Sequence, residues 1–220
     1  MATQPAFTRA DPDERRQSLI EATARVLGER GAAGVSVRAI CAEAGVSPGL
    51  LRHYFAGVSD AMAEAYRWTG QRIGEALAAA VADAGADPRA RILAYLAASF
   101  RPPIATPELL ASYVAFWSLT RSDAAVAAVR AQVYGDYRAQ LEALLAEWRP
   151  ALADPRLVAI ALTALIDGLW LELSLGDAPF TAAQASALAE RWLDSLASRS
   201  AQKRGRDRPR PALGDCGVPA

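Results

Sequence analysis

Apolar residues recur along this chain at steps of three and four, the spacing that gathers them on one face of a helix. Leu19, Ile20, Thr23, Val26 and Leu27 follow it first and predict a helix from about Pro12 to Arg30, stopped by Gly31. Val37, Ile40 and Cys41 repeat it over Val37 to Ala44, with Ser36 at the capping position before and Gly45 just after. A third short helix opens on Ser47-Pro48 and ends near Phe55. Longer helices are predicted over Val58 to Asp83, Arg89 to Phe100, Pro107 to Thr120, Asp123 to Arg149, Pro155 to Leu175 and Ala182 to Arg199, the last capped by Thr181. Segments rich in Pro, Gly and Asp separate them, and alternating strand patterns are missing, so the expected class is all-α.

The polar ends carry no such pattern. Residues 1–11 and 201–220 are expected to be disordered, the second stretch being rich in Arg, Pro and Gly. Between them the spacing divides the chain into a small three-helix domain, 12–57, and a larger helical one, 58–200. With 52% hydrophobic residues, both can bury a core. The N-terminus has no apolar stretch of the kind that directs secretion, and the run from Leu157 to Leu175 is interrupted by Asp167 and Glu172. A cytoplasmic protein with a core or interface helix there is the expectation.

Charge and chemistry narrow the functional classes. Lys plus Arg number 24 and Asp plus Glu 24, so bulk charge gives no support to nucleic-acid binding, and a motif must carry any such claim. Cys41 and Cys216 make neither a disulfide framework nor a metal site, and no cofactor motif is present. A single histidine, His53, leaves no His-based triad, and the acidic residues are scattered singly, which argues against an enzyme.

The motif is the pair of short helices joined at Ala44-Gly45-Val46, with the second opening on Ser47-Pro48, the layout of a helix-turn-helix. Leu51 and Phe55, four apart, are expected to face a small core with Ile20, Val26 and Ile40, which turns Ser47, Pro48, Gly49, Leu50 and Arg52 outward. Small residues at 47 and 49 permit close approach to a groove; His53, Tyr54 and Arg38 offer donors or charge to phosphates. Helix pairs around a glycine turn occur in helical proteins of many kinds, and geometry alone leaves both readings open.

The segment RRQSLIEATARVLGERGAAGVSVRAICAEAGVSPGLLRHYFAGVSDAM resembles the N-terminal domain of the TetR family of bacterial repressors, in the glycine ending helix 1, the AEAGVS turn and the HYF ending of the recognition helix. AFWSLTRSDAAVAAVRAQVYGDYRAQLEALL and ALIDGLWLELSL are similar to the C-terminal domain of its BetI-like branch, whose named example is the choline-pathway regulators. The resemblance implies a homodimeric repressor that binds a pseudo-palindromic double-stranded DNA operator and is released by a small-molecule effector. It places the DNA contacts on Ser36, Arg38, Ser47, Pro48, Gly49, Leu50, Arg52, His53 and Tyr54. The chain departs from the family at Gly57-Val58-Ser59-Asp60, where relatives commonly carry a lysine that meets phosphate.

In the larger domain the last helix shows a stripe of Ala185, Leu188, Ala189, Trp192 and Leu196, and the helix before it Ile160, Ala164, Leu165, Gly168, Leu171 and Leu175. Such stripes serve equally as the core of a monomer; the resemblance implies that the two helices pair with their symmetry mates as a four-helix dimer interface. Aromatic residues concentrate in the middle helices. Tyr113, Trp117, Tyr134, Tyr137 and Trp170 are the candidate effector contacts, suited to an amphipathic or cationic molecule, and Asp167 can pair with such a cation or with an arginine. A DNA-binding dimer with no effector is the alternative.

Overall fold

The computed structural model describes residues 12–206, with side chains through Leu196. The expectations for residues 1–11 and 207–220 lie outside the described residues. Among those described there are nine helices and no strand: α1 (Pro12–Gly34), α2 (Val37–Ala44), α3 (Pro48–Tyr54), α4 (Val58–Asp83), α5 (Pro88–Ser99), α6 (Pro107–Leu119), α7 (Ala124–Trp148), α8 (Pro155–Leu175) and α9 (Ala182–Arg206). The all-α expectation holds, and each helix lies where the apolar spacing predicts it. Two ends differ. Gly31 breaks α1 with φ 64 and ψ −179, yet one more turn carries it to Gly34. α9 runs on to Arg206 instead of stopping at Arg199. Ala201, Gln202 and Lys203 are good helix formers, and no proline occurs before Pro209.

Local chemistry fixes the head formed by α1, α2 and α3. Ser36 caps α2 by accepting the Ala39 amide at 3.1 Å. Gly45 takes the left-handed conformation, φ 65 and ψ 33, that ends α2 and lets the Val46 amide return to Cys41 O at 2.9 Å. Pro48 starts α3 at a position where no amide is needed. Leu19, Ile20, Val26, Leu27, Ile40, Leu51 and Phe55 are all buried. Each large side chain among them contributes roughly 2 kcal/mol of burial.

The body is built around α4, whose 26 residues make a rod about 39 Å long. α4 packs on α1, α5 and α7; α7 packs on α5 and α8, and α9 closes over α5 and α8. α1 also lies along α6, so the head is bolted to the body through two helices. At that crossing the Ser112 hydroxyl, which donates to Glu108 O of its own helix at 2.9 Å, also lies 3.3 Å from Ala24 O, and a methyl group at Gly28 would come within 2.6 Å of Ser112 Oγ.

Candidate DNA-binding face and effector site

The sequence pattern of α3 sends Leu51 inward, fully buried, and leaves Pro48, Gly49, Arg52 and His53 exposed with Leu50 and Tyr54 half-buried. Ser47, Ser36 and Arg38 are exposed beside them, so all nine residues expected to meet DNA share the head's solvent-facing surface. Ser47 stands at the N-cap of α3 but makes no side-chain cap bond. Arg25 is bound to Glu43 at 2.7 Å, and Arg16 to Glu64, whereas Arg38 and Arg52 form no ion pair among the described residues. Two guanidinium groups therefore stand ready for an anion on this face. At the departure from the family pattern, Asp60 accepts the Ala56 amide at 3.0 Å, an acidic cap at the start of α4.

Behind the head, α4, α6, α7 and α8 converge on an aromatic cluster. Tyr66 stacks on Phe116 at 4.4 Å and meets Tyr113 edge-on at 5.6 Å; Tyr113 meets Trp117 at 6.0 Å and Trp170 at 5.3 Å. Their polar ends are hydrogen-bonded: Trp117 Nε1 donates to Tyr134 Oη at 2.8 Å, Trp170 Nε1 to Ser99 O at 2.8 Å, and Tyr137 Oη to Gly70 O at 2.9 Å. The hydroxyls of Tyr113 and Tyr137 lie 3.2 Å apart. Tyr66 Oη, fully buried, has no hydrogen-bond partner among the described residues. Sequence reasoning missed Tyr66, which sits on a helix with no other tyrosine; only its four-residue spacing from Met62 and Gly70 marked it as inward-facing.

Inside this cluster is a small cavity of about 20 Å³, lined among others by Tyr95, Tyr113, Tyr137, Thr163, Asp167 and Trp170. It has room for about one water molecule. Three of the five expected effector contacts, Tyr113, Tyr137 and Trp170, line it; Trp117 and Tyr134 stand behind them. Arg130 and Arg138 both lie over the neighbouring Tyr134 ring, at 4.3 and 5.4 Å from its centroid. Burial pushes the Asp167 carboxyl up to about 6, against the opposing pull of a hydrogen bond from Tyr134 and the charges of Arg130 and Arg138. Burial likewise holds the surrounding phenols, Tyr66, Tyr95, Tyr113, Tyr134 and Tyr137, well above the ordinary tyrosine range.

The outer side of α8 is apolar and uncovered. Leu157, Leu171 and Leu175 are 56%, 39% and 62% exposed; Ala164 and Gly168 are exposed between them, and Ile160 is half-buried. The helix is long and apolar enough to cross a membrane, but its other side, Ala159, Leu162, Ile166, Leu169 and Trp170, is packed into the body. On α9 the expected single stripe is two faces. Ala185 and Ala189 are fully buried within the chain along with Leu193, while Leu188 is exposed and Trp192 and Leu196 are half-buried. Apolar residues on both faces make the stripe too broad to reveal which way it turns.

Residues 19–59 match the family described as bacterial regulatory proteins, tetR family, and residues 88–198 match the BetI-type transcriptional repressor C-terminal domain. The chain is 35% identical over 185 residues to the HTH-type transcriptional regulator BetI of Burkholderia thailandensis, covering 83% of this chain and 93% of that protein. It is 31% identical over 182 residues to BetI of Proteus mirabilis, covering 82% and 90%. The chain belongs to the TetR family. Among solved structures, a protein from Pseudomonas aeruginosa PAO1 assigned as a transcriptional regulator superposes with a TM-score of 0.81 at 39% identity, over 90% of this chain and 98% of that one. A regulator from Saccharomonospora viridis in complex with choline shares the fold, with a TM-score of 0.71 at 19% identity over 83% and 96%.

This TetR-family chain is thus a DNA-binding transcriptional regulator, and the family match at 19–59 coincides with the head. The BetI-type match carries Tyr113, Trp117, Tyr134, Tyr137, Asp167 and Trp170. Residues 60–87 lie between the two matches, yet α4 supplies Tyr66 and Gly70 to the aromatic cluster.

Asp167 makes this regulator's stability depend on pH. Its carboxyl is raised from 3.8 to about 6, so below the unfolded value it is neutral in both states and costs nothing. As pH climbs through the window between the two values the unfolded chain ionises first and stability falls; above the folded value the cost is complete. Asp167→Asn is expected to stabilise the protein by about 2 kcal/mol at a pH near 8 and to lose that gain at a pH near 4. Urea unfolding at both pH values measures it; an equal effect at both would show that the buried charge is not what costs stability.

Proposed function

We propose that the protein is a homodimeric repressor that grips a pseudo-palindromic operator through the two α3 helices and lets go when a small-molecule effector enters the aromatic cavity of 58–200. The heads, 12–57, act through Ser36, Arg38, Ser47, Pro48, Gly49, Leu50, Arg52, His53 and Tyr54. The dimer forms on Ile160, Ala164, Gly168, Leu171, Leu188, Trp192 and Leu196. One observation carries the regulatory part: α6 places Tyr113 in the wall of the inner cavity while its neighbour Ser112 is packed against α1, its Oγ 3.3 Å from Ala24 O and in the way of any side chain at Gly28. An effector that displaces Tyr113 must also shift the helix on which the head is seated, which gives it different contacts in the two states.

Aromatic rings around a carboxylate suit an organic cation, and one fold neighbour was solved with choline. Choline and related quaternary ammonium compounds are therefore the first effectors to test, by fluorescence anisotropy on DNA from the regulator's own upstream region. The competing reading, a repressor without effector, draws on the small size of the inner cavity. It predicts that no such compound raises the melting temperature or weakens DNA binding, whereas a true effector does both.

Tyr54→Phe removes one half-buried hydroxyl on the DNA-facing side and leaves the ring in place. Operator affinity is expected to fall by about 1 to 2 kcal/mol per half-site, with folding and sequence preference unchanged. Titrations at several salt concentrations check it; wild-type affinity throughout would remove Tyr54 from the phosphate contacts.

A further inference from the structure

Two cavities meet at one side chain. The Asp167 carboxyl lines the inner cavity, which has room for about one water molecule. Outside it, between α4 and α7, a cleft of about 150 Å³ opens to solvent, lined by Gly70, Gly74, Gln71, Gln132, Asp136 and Gln140 among others. Tyr137 lines both. Its hydroxyl is fastened inward, donating to Gly70 O at 2.9 Å and lying 3.2 Å from Tyr113 Oη. On the outer side Gly74 leaves space beside the ring: a methyl group there would sit 3.9 Å from Tyr137 Cε1. At Gly70 the same two helices touch, since a methyl group would come within 2.8 Å of Val133. The two helices therefore touch at Gly70 and stand slightly apart at Gly74, with the tyrosine ring between these two positions of the cleft wall.

A carboxylate stands at each end of this path, Asp136 in the outer cleft and Asp167 in the inner cavity. Arg67, the one cation lining the cleft, is paired with Glu64; Arg130 and Arg138, whose charges reach Asp167, line neither cavity. The glutamine amides and tyrosine hydroxyls provide neutral dipoles. A small positive group can pass from one carboxylate to the other, while an anion meets no unpaired cation in either lining.

We propose that the α4–α7 cleft is the port of the effector cavity and that Tyr137 is its gate, swinging away from Gly70 and Tyr113 to admit a small organic cation. The proposal rests on the effector reading above. It also accounts for how a cavity with room for one water can serve as a binding site: with the ring withdrawn, the cleft and the cavity become one space.

The test reads access rather than affinity. Thr163, which lines the inner cavity, is changed to cysteine in a full-length Cys216→Ser chain; Cys41 is buried, and the same chain without the new thiol gives the background rate. The probe is 2-(trimethylammonium)ethyl methanethiosulfonate, with the 2-sulfonatoethyl reagent as its anionic counterpart. Tyr137→Ala is expected to accelerate modification at position 163 by about tenfold or more, because the rate scales with the fraction of time the path is open. Tyr137→Phe, which keeps the ring and loses both hydroxyl contacts, is expected to give a smaller acceleration. Val81→Ala, a cavity elsewhere on α4, controls for general loosening. The cationic reagent is expected to outpace the anionic one relative to their rates on a free thiol.

Modification of Tyr137→Ala no faster than that of Val81→Ala would overturn the gate, and an anionic reagent that reacts as readily as the cationic one would overturn the selectivity. Failure of the effector reading looks different: the gate variants accelerate labelling, but no quaternary ammonium compound changes operator binding. If such a compound does release the operator while Tyr137→Ala labels at the control rate, the effector reading stands and the port lies elsewhere.

Discussion

Phe55→Ala is expected to melt the DNA-binding head while the body stays folded. Phe55 is 2% exposed and closes α3 by donating its amide to Leu51 O at 2.9 Å. The Arg16 guanidinium lies 5.4 Å from its ring, which adds a cation–π contact to the buried area. Truncation to alanine leaves a cavity and costs about 3 to 5 kcal/mol. Phe55 is the one buried aromatic side chain of the head among the described residues, and a whole domain is stable by only about 5 to 15 kcal/mol. The expected result is an early transition in circular dichroism, about 10 °C below the wild-type melting point, and operator binding that vanishes with it. Tyr54→Phe, one residue away, should melt normally and bind weakly. If Phe55→Ala kept the wild-type melting curve, α3 would not be held by its inward face and the placement of the reading surface would fail with it.

The head was readable because its signals are local. Ser36, Gly45 and Pro48 each fix backbone over a few residues, and each acts in the fold as its residue type requires: a cap at 3.1 Å, a left-handed turn at φ 65 and a helix start. The four-residue step from Leu51 to Phe55 settles which face turns inward. In the body the same reasoning found the helices and lost the faces. Ala185 and Ala189 were grouped with Leu188 and Trp192 because alanine packs inside and outside with little preference, and only the packing of α9 on α5 and α8 separates them.

The candidate effector site is legible in the sequence as a composition and not as a place. Tyr113, Tyr137 and Trp170 stand out as aromatic residues, but nothing in their spacing tells that they line a cavity while Trp117 and Tyr134 do not. That distinction depends on contacts across four helices. The least visible feature was the junction of head and body. Gly28 and Ser112 are 84 positions apart by number and unremarkable in type, yet their close approach seats α1 on α6. Coupling of this kind lives in long-range packing, where a single sequence has no periodic signal to offer.

Gly168→Arg separates a dimer surface from a merely exposed helix face. Within one chain a side chain at Gly168 meets nothing within 4 Å, so arginine fits the protomer without a clash. In a helix interior arginine is also favoured over glycine by roughly 1 kcal/mol, so the isolated protomer should be slightly stabilised. The surroundings on α8, Ala164, Leu171 and Leu175, are apolar, and the one carboxylate in reach is the exposed Glu172 one turn on. In a two-fold interface the long side chain enters once from each subunit, and burying it with its charge, even partly paired, costs several kcal/mol. The dimer dissociation constant is expected to rise by about a thousandfold, which corresponds to roughly 4 kcal/mol. Sedimentation velocity should then show a folded monomer, and the operator affinity should drop because each half-site is bound alone. A variant that remained dimeric, with its operator affinity intact, would move the interface away from α8. A variant that unfolded instead would contradict the open space around Gly168 and place the fault in the protomer.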